Sequence, residues 1–499
     1  MHGLKRRPLP REIEEARERI QAIAWNAGLR FCETVFEMCS FDEVNMIASY
    51  GGFPTRYPHW RFGMEYLRMK KGYEWGLQKI YEMVINTEPA YAYLLDNNLL
   101  ADQKTVIAHV YAHVDFFQNN AYFAPTNRKM LDEMANHAAR VRRLVDRHGE
   151  GAVERFLDRC LSLENLVDSH ALHVRRPPSE KDLPQDLEPQ RLPSKSYMDR
   201  FVNPPEVLRA QAEKRRKKAQ ERKFPRAPEH DVLLFLLEHA PLERWQADLL
   251  AIVREEACYF VPQGQTKIMN EGWATFWHTR LMTRHILSDA EVVDYADHHA
   301  GTVATRPGQL NPYKMGLDLF RDIEERWDKG RFGKDWIDCD DPGERARWDT
   351  GAGLGLQKVF EVRRDHNDVS FVDAFLTEDF CREHGLFAWE YDPGSRQYVV
   401  DTREFRAVKE KLLFLLSNHG QPRIAVTDAN HANRGELELT HVHEGVDLQL
   451  EWARETLGNL ARVWGRPVCL VTRVEDREVV LLHDGDTFRA EGLPGRGES

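Results

Sequence analysis

The chain has no long apolar run. Its longest runs, such as 232–237, reach six residues, where a membrane-spanning helix needs about 20. It has no C-x-x-C pair. Its seven cysteines (Cys32, Cys39, Cys160, Cys258, Cys339, Cys381 and Cys469) are scattered and odd in number. That excludes a zinc ribbon and a disulfide framework, and it fits a reducing cytoplasm. Positive charge is not in excess. Against 80 Asp and Glu stand 69 Lys and Arg, a net charge of −11, which argues against nucleic acid as the partner of the whole chain. The start is basic and then helical, with no apolar segment of the signal-peptide kind. No G-x-S-x-G elbow marks a serine nucleophile. GAGLG (351–355) lacks the Lys-Ser/Thr of a phosphate loop and follows no clear strand.

What is present is 499 residues, 42% of them hydrophobic, enough for two or three domains with sizeable cores. Histidine is abundant at 21 and tryptophan at 12. Residues 10–170 read as mostly helical, with apolar positions at helical spacing over 12–27, where Gly28 follows as a stop, and again over 131–166. SYGGFPTRYPHWRFG (49–63) reads as a rigid loop; its bland role is packing, and its functional one would place Arg56, His59 and Trp60 along a pocket. Between Pro177 and Pro205 lie seven prolines, followed by eight Lys or Arg within 212–226. This is the compositional signature of an exposed insertion. Helical patterning resumes at 229. Near the C-terminus the period changes: 396–401, 423–430, 435–444, 467–475 and 478–484 read as strands, with helices at about 403–418 and 446–463.

The expected organisation is therefore a helical body at 1–175, a Pro-rich and basic insertion at 176–228, a second part of the body at 229–390 and a small α+β domain at 391–499. The expected fold class is α+β: a large, mainly helical body with zincin-like helices, plus the small C-terminal domain.

Two segments carry the chemistry. In AHVYAHVDFFQNN (108–120), His109 and His113 are four apart, which on a helix puts both imidazoles on one face at the spacing one transition metal needs. The familiar helical zinc motif is H-E-x-x-H, and Val110 stands where its Glu would be. In MNEGWATFWH (269–278), Glu271 and His278 are two turns apart. NEGWA resembles the Asn-Glu-Gly-aromatic-Ala segment that supplies the third ligand in one class of helical zinc peptidases, although 158 residues separate His113 from Glu271, far more than in that class. The candidate metal ligands are His109, His113 and Glu271. His278 and Glu256 are the candidates for proton transfer, with Glu256 a replacement for the missing base. Of His298 and His299, one is a candidate to face inward. His/Glu ligation suits a divalent ion, zinc first, with iron or manganese as alternatives.

Seven segments identify a resemblance: YGGFPTRYPHWRFGMEY (50–66), KIYEMVINTEPAYAYLL (79–95), AHVYAHVDFFQNN (108–120), CLSLENLVD (160–168), QGQTKIMNEGWATFWH (263–278), NPYKMGLDLFRDIEERWDKGRFG (311–333) and VFEVRRDHNDVSFVDAFLTEDF (359–380). All closely resemble the stage V sporulation protein R (SpoVR) family, across nearly the whole chain. The resemblance implies a cytoplasmic bacterial protein linked to spore cortex formation, or to stress physiology where no endospore is made. It also implies two partners, a PrkA-type serine kinase and a protein with a von Willebrand factor A-like domain. It implies no reaction. Two functions therefore stand side by side: a metal-dependent hydrolase of a peptide or amide bond, and a non-catalytic regulatory scaffold acting with the kinase. A third reading keeps the metal as a purely structural tie between the two helical segments.

Overall fold

The computed structural model describes residues 7–74, 82–174, 191–220, 224–392 and 394–492. It is mainly helical with three small sheets. The chain forms two compact units, one built from Met1–Glu150 and Tyr259–Gly420, the other from Gly151–Cys258 and Gln421–Ser499.

In the first unit the helix Leu100–Asn119 is buried on nearly every side. Such a helix has no polar stripe to face solvent and can only run through a core. It packs against Arg11–Asn26 and against Lys267–Leu281, a second helix buried on most sides. Lys267–Leu281 packs in turn on Pro312–Asp328. Trp273 and Trp277 anchor this layer, with ring centroids 5.5 Å from Phe320 and 5.6 Å from Phe360 respectively. A small sheet flanks it: β1 (Thr34–Cys39) parallel to β3 (Ala90–Leu95), and β2 (Glu82–Ile85) antiparallel to β3. These strands fall inside the stretch expected to be helical. Four consecutive residues of β3 are buried, so it lacks the period-two alternation that marks a half-exposed strand.

The helical pattern over 131–166 proves to be two helices, Met130–His148 and Glu150–Ser162. They break at Gly149, whose φ of +85° is a left-handed conformation suited to glycine. In the 49–63 loop, Arg56 is committed to packing. It is buried, donates to the Tyr50 carbonyl at 3.1 Å and lies 4.4 Å over the Phe62 ring. Trp60 is exposed and opens the helix Trp60–Glu74.

The second unit contains a five-stranded sheet in the order β10-β9-β8-β7-β6: β6 (Arg423–His431), β7 (Glu436–Val442), β8 (Val468–Val474), β9 (Arg477–His483) and β10 (Phe488–Glu491). β7 and β8 are parallel, and the helix Leu450–Trp464 crosses between them, packing Leu457, Leu460 and Ala461 into the interior. Gly465 ends that helix with φ +73°. The four strands expected here at 423–484 are all present. The boundary is not at 391, however. The hairpin of β4 (Ala388–Asp392) and β5 (Gln397–Thr402) and the helix Phe405–Leu416 belong to the first unit. Val408 and Leu412 are buried in its core. Within the expected insertion, 175–190 and the side chains at 214–223 lie outside the described residues; a helix spans Pro205–Gln220.

Candidate metal centre

Three features position the glutamate helix Lys267–Leu281, and one of them ties it directly to the histidine helix. Asp368, on a helix one hundred residues later, accepts the backbone N–H groups of Ile268 and Met269 at 2.8 Å each. It satisfies two of the donors that every helix start leaves open. Gly272 faces Gly316 on Pro312–Asp328, and a methyl group at either position would overlap the other's backbone. The glycine of NEGWA is thus a close-approach residue. Finally, Trp273 Nε1 donates to Asp115 Oδ2 at 3.0 Å across the helix pair, where Arg363 also pairs with Asp115 at 3.2 Å. Burial pushes the Asp115 carboxyl up to about 6, against the pull of Arg363, and Asp368 up to about 7, against its two N–H partners.

These supports bring His109, His113 and Glu271 together, with one ligand atom of each within 4.8 Å of the others. All three residues are buried. Glu271 Oε2 stands 3.4 Å from His113 Nε2 and 3.8 Å from His109 Nε2. It has no hydrogen-bond partner of acceptable geometry. A direct N–H···O⁻ bond would close to about 2.8 Å. Donors held at about 2.0–2.1 Å from one tetrahedral ion stand about 3.4 Å from each other. The His113 separation matches that value and the His109 separation is longer, and the two nitrogens and one carboxylate oxygen are donor types that fit the divalent ion expected from their chemistry.

The surrounding contacts orient the ligands. His113 Nδ1 lies 2.9 Å from Asn270 Oδ1, which can only accept, so Nδ1 carries a proton and Nε2 faces Glu271. His109 Nδ1 lies 2.7 Å from His278 Nδ1. His109 Nε2 also faces inward, 3.8 Å from Glu271 Oε2, and His278 Nε2 lies 3.5 Å from His299 Nδ1. Burial and the neighbouring histidines, His109 first, hold His278 well below the usual imidazole range, so it is neutral. Lys267 Nζ pairs with the other Glu271 oxygen at 2.5 Å. Burial opposes ionisation of Glu271, but the facing imidazoles of His109 and His113 and the Lys267 ammonium hold its carboxyl well below the usual range.

Of the expected site residues, His109, His113 and Glu271 converge. His278 sits behind His109, as a support to it. His299 is the member of its pair that faces His278, whereas His298, also largely covered, pairs with Asp102 at 3.0 Å. Glu256 is buried but falls in the other compact unit, outside the converging group. Val110 is fully buried in the core. Asn270 and Lys267 were not singled out from sequence. Asn270 stands inside NEGWA, and Lys267 is four residues before Glu271, the spacing of a helical ion pair. Asp368 carries no local signal at all.

Comparison with known proteins bears on the whole chain. The family model described as "SpoVR like protein" matches residues 9–421, and that of the "SpoVR-like C-terminal domain" matches 422–475. Their border coincides with the point where the chain re-enters the second unit at Gln421. The chain is also similar to "Uncharacterized protein YcgB" of Escherichia coli (strain K12), 29% identical over 459 residues that cover 86% of each chain. No solved structure matches it significantly. Since the first model alone covers far more than half of the sequence, the chain belongs to the SpoVR family.

Proposed function

We propose that His109, His113 and Glu271 hold one divalent cation, zinc first with iron or manganese as alternatives, and that the site hydrolyses a peptide or amide bond. The observation that carries this is the approach of one buried Glu271 oxygen to within 3.4 and 3.8 Å of the Nε2 atoms of two buried histidines, all three donors lying within 4.8 Å of one another. Asn270 and His278 fix the two imidazoles. Lys267 holds one carboxylate oxygen and leaves the other to the ion. A Lewis-acidic ion on three protein ligands keeps a coordination position open and polarises the group that enters it. The chain's own residues do the rest: the ligands stay deprotonated, and His278 Nε2 faces His299 Nδ1 at 3.5 Å.

A second reading is favoured by one specific observation. Position 110, where helical zinc hydrolases carry their general base, is a buried valine. In that reading the ion ties the two helices together, and the protein is a regulatory scaffold acting with a PrkA-type serine kinase. Under either reading the proposed process is spore cortex formation or a stress response.

Metal analysis of the purified full-length protein tests the site. Glu271→Gln and His113→Ala should each lose one equivalent of metal while keeping the far-ultraviolet circular dichroism of the parent. Wild-type protein without bound metal, after purification free of chelators, would overturn the proposal. A Glu271→Gln chain that still supports function in cells and still captures the kinase would decide for the scaffold.

A further inference from the structure

The C-terminal sheet holds a second group of metal-type donors, on elements that share nothing with the helical centre. His431, Glu438 and Cys469 each bring one donor atom within 4.8 Å of the others. They come from three adjacent strands, β6, β7 and β8. Glu438 is the register partner of Cys469 in the parallel β7–β8 pair and of Asp428 in the antiparallel β6–β7 pair. Register partners point to the same face of a sheet. Glu438, Cys469 and Asp428 therefore share one face.

His431 should not be there. It is three residues from Asp428, an odd number, and along a regular strand it would point to the opposite face. β6 is not regular. Between Asp428 and His431 the register slips: these three steps on β6 are matched by two on β7, from Glu438 to Glu436. The extra residue is a β-bulge, a device that re-aims a side chain. It turns His431 onto the face of Glu438, where Nδ1 lies 2.7 Å from Oε2. The second Glu438 oxygen accepts from Thr427 Oγ1 at 2.8 Å.

The surroundings are anionic. Glu436, the neighbouring acid on this face, is taken up by Arg434 through two bonds of 2.6 and 2.9 Å. Cys469 is buried. Burial first, then Glu438, Glu436 and Asp428, push its thiol up to about 12. A thiol walled in by carboxylates is poorly placed as a nucleophile and well placed beside a cation. Nitrogen, oxygen and sulfur donors together suit a borderline-soft ion such as zinc, and exclude magnesium or calcium.

We propose that His431, Glu438 and Cys469 form a second transition-metal site, specific for a zinc-like ion, in the C-terminal sheet. On binding, the thiol proton leaves to solvent and the imidazole proton moves from Nδ1 to Nε2, so that all three donor atoms turn to the ion. The site stands whether or not the helical centre binds metal, because it shares no ligand with it.

Cobalt(II) titration of the full-length, metal-stripped protein tests this directly. The helical centre has no sulfur ligand, so a thiolate-to-cobalt charge-transfer band in the near ultraviolet reports the sheet site alone. The expected result is that band in wild type, complete by two equivalents, and in His109→Ala, saturating at one equivalent. It is lost in Cys469→Ser and at least tenfold harder to saturate in His431→Ala. His431 is over one third exposed, so its removal leaves the fold intact if Cys469→Ser should not. A wild-type protein that shows no such band, or one whose band survives Cys469→Ser, would overturn the proposal.

Discussion

The two donor groups of this protein are built in opposite ways. In the helical unit, the donors come from two helices that are buried on nearly every side, and the two imidazoles are held by Asn270 and His278. The donor atoms stand apart at 3.4 and 3.8 Å, too far to satisfy one another. In the sheet unit, ligands come from neighbouring strands on a half-exposed face, and His431 and Glu438 close on each other at 2.7 Å. In the first group the facing donors stay apart; in the second, two of them satisfy each other by a hydrogen bond. The difference follows from burial. A charge held in a core needs a partner, and Glu271 has one in Lys267. A surface triad can relax into hydrogen bonds.

That comparison breaks most visibly at the helix crossing. Gly272→Val should destabilise the helical unit by about 3 kcal/mol, the upper range for overpacking, because its side chain meets the Gly316 backbone, which has no rotamer to yield. Thermal unfolding followed by circular dichroism measures it, and an unchanged midpoint would mean the two helices can slide apart freely. Next in size is the support of the imidazole: Asn270→Ala should weaken metal binding at the helical centre by about 10–100-fold. Competition with a chromogenic chelator reads this out. An equal loss in Cys469→Ser protein, and none in His113→Ala protein, locates the effect at the helical centre.

Asp368→Ala removes the acceptor of two buried helix N–H groups and should cost about 1–2 kcal/mol. The same residue gives the helical unit a pH dependence. Its pKa is raised from 3.8 to about 7 by burial, so between those values the folded chain keeps a proton the unfolded chain has lost. The stability it contributes is complete below about pH 4 and is lost as pH rises through about 7. Urea unfolding across that window should show the slope in wild type and a flatter one in Asp368→Asn; equal slopes would refute the assignment. The smallest effect belongs to the sheet. Without metal, His431→Ala should shift stability by less than about 0.5 kcal/mol, as expected for a partly exposed side chain. A larger loss would mean that the sheet triad, like the helical one, is part of a core.

Much of this was legible along the chain. His109 and His113 share a face because a helix has 3.6 residues per turn, and the strands from β6 to β9 announce themselves by β-branched residues between turns. Other features were not. β3 is buried on both faces over most of its length and loses the alternation that identifies strands. The helical run after 131 hid its break because Gly149 is one residue in an otherwise amphipathic pattern. Glu256 read as a candidate base from its nearness in sequence to NEGWA, yet it falls in the other unit.

The sequence by itself determined which donors can point the same way within one helix, since backbone geometry alone sets that period. It also carried enough long motifs to place the chain in its family. Only the tertiary structure decided which faces meet. The approach of residues 158 apart is made by bonds across the helix pair, Trp273 to Asp115 and Asn270 to His113, while two glycines and a capping aspartate seat the glutamate helix on its other neighbours. In the sheet, one extra residue in β6 reverses the facing of His431. Neither effect has a local period to read, because each arises from a contact between segments distant in the chain.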